Sequence, residues 1–149
     1  VTVAHRSETP TAVAIGLGWF AATLVLPIGW HGLMGAMYLG IAASAPSSGN
    51  PSGVGVVGLL GAAKVVGGLF AAGTGVFAGV GCWRGLHGDH RLASRAAYWA
   101  LGMSGLGVVG SVLTFDCIGA LVGLVPVAFA GVTAWFALQL ARELRDAES

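Results

Sequence analysis

Four apolar runs, each long enough to cross a bilayer as a helix, take up nearly all of this sequence and leave little else to build a fold from. A spanning helix needs about 20 mainly apolar residues, since each adds about 1.5 Å against a hydrocarbon core of about 30 Å. The runs cover about 11–45, 53–83, 96–115 and 118–141. Pro46-Ser-Ser-Gly-Asn-Pro51-Ser-Gly53 interrupts the first two with turn-forming residues. Residues 84–95 form a charged connection, and Asp116-Cys117 marks a tight turn.

Composition agrees with lipid as the solvent. Of 149 residues, 56% are hydrophobic and only 9% charged, with a mean hydropathy of +0.84. A water-soluble domain carries about 25% charged residues, so this chain is short of the groups needed to coat a wet surface. The 26 glycines follow no Gly-X-Y period, and glycine is frequent in membrane helices. A net charge of +1 lacks the basic stripe of a nucleic-acid binder, so no nucleic-acid partner is expected. Six arginines against one lysine, with abundant Ala, Gly and Val, is the coding bias of a GC-rich genome. The expected location is a bacterial plasma membrane, crossed several times.

The arginines give the orientation, because cytoplasmic loops collect Lys and Arg. Arg6 precedes the first run, Arg84, Arg91 and Arg95 join the second to the third, and Arg142 and Arg145 follow the fourth. All six fall on one face of a four-pass chain, leaving only Lys64 toward the other. The expected fold is an all-α integral membrane protein, a single domain over 1–149. Its four transmembrane helices form an antiparallel up-down bundle, N-in/C-in, with 84–95 as a charged cytoplasmic loop and Arg84, Arg91 and Arg95 at lipid headgroups. Ala43-Ser44-Ala45 resembles a leader cleavage site, but the apolar run is far longer than the 7–15 residues of a leader, and Pro46 follows the site. The segment reads as a retained helix. Twenty residues counted from the cytoplasmic side end near Trp30-His31 and Lys64, so 33–63 projects beyond the membrane, lies in the interface or tilts.

Membrane helices associate where small residues allow close approach. Ala63, Gly67, Ala71, Gly75 and Gly79 recur every four residues, on one helix face, and Gly119 and Gly123 repeat the spacing in the fourth run. These residues are expected to pack helices together, within the chain or against a partner. Shifting the sequence by 52 aligns 52–83 with 104–135 at 13 of 32 positions, which either records a duplicated hairpin or reflects shared membrane composition.

Chemistry-bearing groups are few. Cys82 and Cys117 are placed at opposite ends of the spans, beyond the roughly 7 Å reach of a disulfide. Gly53-Val-Gly55-Val-Val-Gly58 and Gly105-Leu-Gly107-Val-Val-Gly110 match the dinucleotide fingerprint in letters only, since that motif needs a strand before it and an acidic residue about 20 positions on. His87-Gly-Asp89-His90 near Cys82 has metal-ligand residue types without a scaffold for about four ligands, and it reads as a solvated turn. No metal and no cofactor are expected.

His31, Lys64 and Asp116 form a candidate polar layer at one level near the outer boundary, about 28–31 Å from the cytoplasmic edge at helical rise. Pro27 and Pro126 lie below it, each freeing a carbonyl four residues earlier. An ionisable group in a spanning helix is a functional candidate by default. The competing reading is structural: Lys64 snorkels to water, Asp116 belongs to its turn, and Trp30-His31 sits in an interfacial belt. Neither paired carboxylates nor a nucleophile with its base share one face, so no catalytic residues are assigned and an enzyme is not expected. The sequence points to a non-enzymatic bundle whose partners are the lipid bilayer and other membrane proteins or copies of itself. The alternative is a small oligomeric transporter or channel using the outer polar layer.

Overall fold

The computed structural model describes residues 8–45 and 51–148, and every element among them is helical. In chain order these are α1 (Thr9–Thr23), α2 (Val25–Ser44), α3 (Pro51–Leu86), α4 (His90–Leu113) and α5 (Cys117–Glu148). Together α1–α2, α3, α4 and α5 give four stretches long and apolar enough to cross a membrane. Arg6 and the stretch 46–50 lie outside the described residues.

The first run is two helices meeting at Leu24. Pro27 has no N–H to offer the Thr23 carbonyl, and the chain tightens there: Leu24 N–H donates to Ala21 O at 3.3 Å, and Thr23 Oγ1 donates to Phe20 O at 2.7 Å. Pro126 lies within α5, which stays continuous.

The charged connection is far shorter than 84–95. Helix α3 runs to Leu86 and α4 begins at His90. Asp89 N–H donates to Arg84 O (2.9 Å) and Gly88 N–H to Gly85 O (3.2 Å), with Gly88 at φ +96°. This is the glycine-ended helix stop that satisfies the last carbonyls. Asp89 then caps α4 by accepting from Leu92 N–H at 3.1 Å. The α4–α5 turn repeats the pattern: Asp116 N–H reaches Ser111 O (2.9 Å), Phe115 N–H reaches Val112 O (3.0 Å), and Asp116 caps α5 by accepting from Gly119 N–H at 2.7 Å. Here the left-handed position is held by Phe115, φ +54°.

Close approaches fix the register. Along α3, Gly61 meets Leu39, Gly68 meets His31, Gly75 meets Leu24, Gly81 meets Leu17 and Gly85 meets Ala14, so α3 runs antiparallel to α2 and then α1. Among the tightest approaches is that of α3 to α4. A Cβ at Gly81 would lie 2.5 Å from that of Ala96, and one at Gly85 would lie 2.9 Å from that of Ala93. Val13, Leu17 and Phe20 of α1 are fully buried with Ala96, Ala97, Ala130 and Ala137. The core therefore lies in the half of the molecule that carries the arginines.

The other half is different. The N-terminal part of α3 packs on α2 through Gly35, Gly58 and Gly61, continuing past the α4–α5 turn. From Lys64 to Pro51 this extension is about 20 Å long at helical rise, and Leu33, Met37, Val56 and Leu59 are exposed along it. Within 33–63 the α2–α3 pair therefore continues beyond the level of the α4–α5 turn. The 52-residue alignment pairs one unbroken helix, α3, with the end of α4, a turn and most of α5, so only its later part, 65–83 with 117–135, sets helix on helix.

Candidate functional site

Three elements converge on Asp116. Lys64 of α3 forms an ion pair with its carboxylate, and both side chains are buried, at 7% and 9% exposure. Trp30 of α2 donates from Nε1 to Oδ2 at 3.0 Å, and the Gly119 N–H donates to Oδ1. Lys64 Nζ also lies 3.5 Å from Thr114 Oγ1. A Cβ at Gly119 would overlap the carboxylate, so glycine there lets Asp116 turn inward. Burial alone would push the Asp116 carboxyl up; the hydrogen bonds from Lys64, Trp30 and Gly119 outweigh it and hold the carboxyl below its usual range. The aspartate therefore stays ionised and fastens α2, α3 and the α4–α5 turn together.

His31 joins the same cluster, its ring 3.8 Å from where a Gly67 Cβ would be. Its Nδ1 is buried without a hydrogen-bond partner. His31, Lys64 and Asp116 are thus brought together. Trp30 is the partner that sequence reasoning misses, because an interfacial belt accounts for it equally well.

Below the cluster lies a cavity of about 450 Å³ between α2, α3, α4 and α5. Ala63, Gly67 and Ala71 line it, as do Gly119 and Gly123, together with both prolines, Pro27 and Pro126. The small-residue stripe expected to pack helices divides between two fates. Gly123 does meet Val108 of α4, and Gly75 meets Leu24, whereas Gly79 is exposed and a methyl group there would meet nothing within 4 Å. The close helix contact uses Gly81 and Gly85, four residues apart and on a different face. Two groups in the cavity wall stand out chemically: Ser104, 9% exposed, has an Oγ with no partner, and Thr74 donates to Phe70 O at 2.9 Å.

At the arginine end the charges lie on exposed surface. Arg84 pairs with Asp89 at 3.3 Å in an exposed turn, while Arg91 and Arg95 are exposed on α4. His87 Nδ1 lies 2.8 Å from Trp83 O and its ring stacks on Trp83. Asp89 caps α4, and no three of His, Cys, Asp and Glu gather at a metal's spacing among the described residues. Both cysteines are free, Cys82 near this end and Cys117 at the opposite turn. The two glycine fingerprints lie inside α3 and α4. Trp19, Trp83, Trp99 and Trp135 are each more than half exposed. The registers of Gly16 with Thr133, Gly18 with Cys82 and Gly81 with Ala96 set all four within about two helical turns of one level.

The chain matches no family model, no curated protein and no solved structure.

Proposed function

We propose that this chain is a multi-pass protein of a bacterial plasma membrane, a four-span up-down bundle with both termini cytoplasmic, that works by holding lipids or membrane proteins rather than by catalysis. The observation that carries this reading is its inside-out side-chain distribution. Leu69, Val76, Leu106 and Leu121 are each about two-thirds exposed, whereas Lys64, Thr74, Ser104 and Thr133 are buried. Water would reverse that arrangement; hydrocarbon favours it. Trp83 adjoins Arg84, Trp99 lies about one turn from Arg95, and Trp135 lies about two turns from Arg142, as an interfacial belt does beside headgroups. From Trp99 to Asp116 the rise is about 26 Å, close to the thickness of a hydrocarbon core. Purification in mild detergent with crosslinking tests the reading. Bound lipid or a partner protein is the expected result, and a bare monomer carrying neither contradicts it.

A second reading, a small oligomeric transporter or channel, draws on the ionisable cluster directly above the cavity. Proton and alkali-cation flux into proteoliposomes tests it: Lys64→Ala and Asp116→Ala should change the flux, and equal rates remove these residues from any transport path.

A further inference from the structure

The space between α2, α3, α4 and α5 is kept open by residue choice. A methyl group at Gly107 or Gly110 of α4, both lining residues, would meet nothing within 4 Å. Opposite them stand Gly67 and Ala71, where larger side chains would fill the gap. Pro27 and Pro126 line the same space. A cavity of about 450 Å³ falls in the range of small-molecule sites, which occur between helices of bundles.

Its polar groups say what would fit. Lys64 and Asp116 neutralise each other, so the cavity offers an occupant no free charge. Two hydrogen-bonding atoms of its lining residues have no partner, His31 Nδ1 and Ser104 Oγ, both buried. Buried polar groups are nearly always satisfied, and such a deficit in a cavity wall marks where a ligand atom belongs. The pairings of His31 with Gly68, of Lys64 with Thr114 and of Gly81 with Ala96 set Ser104 beside Thr74. His31 and Ser104 are then about six residues apart along α3, roughly 9 Å at helical rise.

We infer that this cavity is a binding site for a neutral, lipid-soluble molecule carrying a hydrogen-bonding oxygen toward each end of a short hydrocarbon body. One oxygen meets His31 beneath the Lys64–Asp116 pair, and the other meets Ser104. An anionic head is disfavoured because the Asp116 carboxylate already occupies the cation. The inference goes beyond lipid association in general and needs only the packed helices, so it is testable in detergent whatever membrane the chain inhabits.

The experiment measures thermal unfolding of the purified full chain with 1,8-octanediol, 1-octanol or octanoate, since a ligand of the folded state raises the midpoint in proportion to its affinity. The diol should raise it most, octanol less and octanoate least. Ser104→Ala should weaken diol binding about five-fold and leave octanol nearly unchanged. Gly107→Leu should abolish the diol's effect, and Gly102→Leu, on the same helix away from the cavity and with open space around it, should keep it. Equal shifts in wild type, Gly107→Leu and Ser104→Ala would overturn the site. The largest shift from octanoate would overturn the neutral-ligand class. If Gly107→Leu does not fold, the Ser104→Ala comparison decides alone.

Discussion

The two halves of this molecule use the same small residues to opposite ends. Toward the arginines, Gly81 and Gly85 press against Ala96 and Ala93, and the helices close over a core of Leu17, Phe20 and alanines. Toward Asp116, Gly67, Ala71, Gly107 and Gly110 border a cavity, and the helices are held instead by the Lys64–Asp116–Trp30 clamp. A glycine at helical spacing tells how near a neighbour can come. Whether the neighbour does come depends on what else fastens the pair: prolines line the open half, and an ion pair with an indole spans its outer end.

The strongest way to break the contrast is to undo the clamp. Lys64→Ala leaves a buried carboxylate without its cation and should cost about 3–5 kcal/mol. Arg84→Ala removes the exposed counterpart at the other turn and should cost less than about 1 kcal/mol. Unfolding of the detergent-solubilised protein measures both. The acid limb sharpens the same point. Because the Asp116 carboxyl is held below its usual range, its stabilisation is complete above the ordinary carboxyl range of about 4 and is lost as pH falls through the lowered value. Asp116→Asn should lose that part of the acid dependence.

Next in size is the packing itself. Gly81→Val forces a side chain into Ala96 and should destabilise by about 1–3 kcal/mol. Gly110→Val enters open space and should change stability by less than about 0.5 kcal/mol. Equal costs would erase the distinction between a closed and an open half.

A more modest contrast comes from the two turns, which share one hydrogen-bond pattern. Gly88 occupies the left-handed position at one turn and Phe115 at the other. Gly88→Ala should destabilise by about 1 kcal/mol, and Phe115→Gly should stabilise by a similar amount, since a side chain is strained there. Phe115 is 92% exposed, so its removal forfeits little packing.

Much of this architecture is readable in the sequence, for physical reasons that differ by region. The apolar runs are visible because a helix long enough to cross hydrocarbon has few other compositions open to it. Lys64 and Asp116 can be paired because so few polar groups share their level. The break at Leu24 follows from Pro27, whereas the helix around Pro126 is continuous. The Gly81–Gly85 contact is illegible: with 26 glycines in the chain, four-residue spacing fits several stripes, and only the facing alanines of α4 select one. Trp30 is hidden because an indole at a membrane boundary suits either a belt or a hydrogen bond. The 84–95 connection reads as a loop because its charges cluster, whereas Arg84, Arg91 and Arg95 decorate helix ends around a three-residue turn.

Placement of the two turns on opposite sides of a membrane is the premise from which the rest proceeds, and cysteine labelling tests it directly. In Cys82→Ser protein, a membrane-impermeant maleimide added to intact cells should label Cys117, beside the Asp116 clamp. With both native cysteines replaced by serine and His87→Cys introduced at the arginine turn, labelling should require permeabilised cells. Labelling of the arginine turn from outside, with Cys117 protected until permeabilisation, would contradict the account.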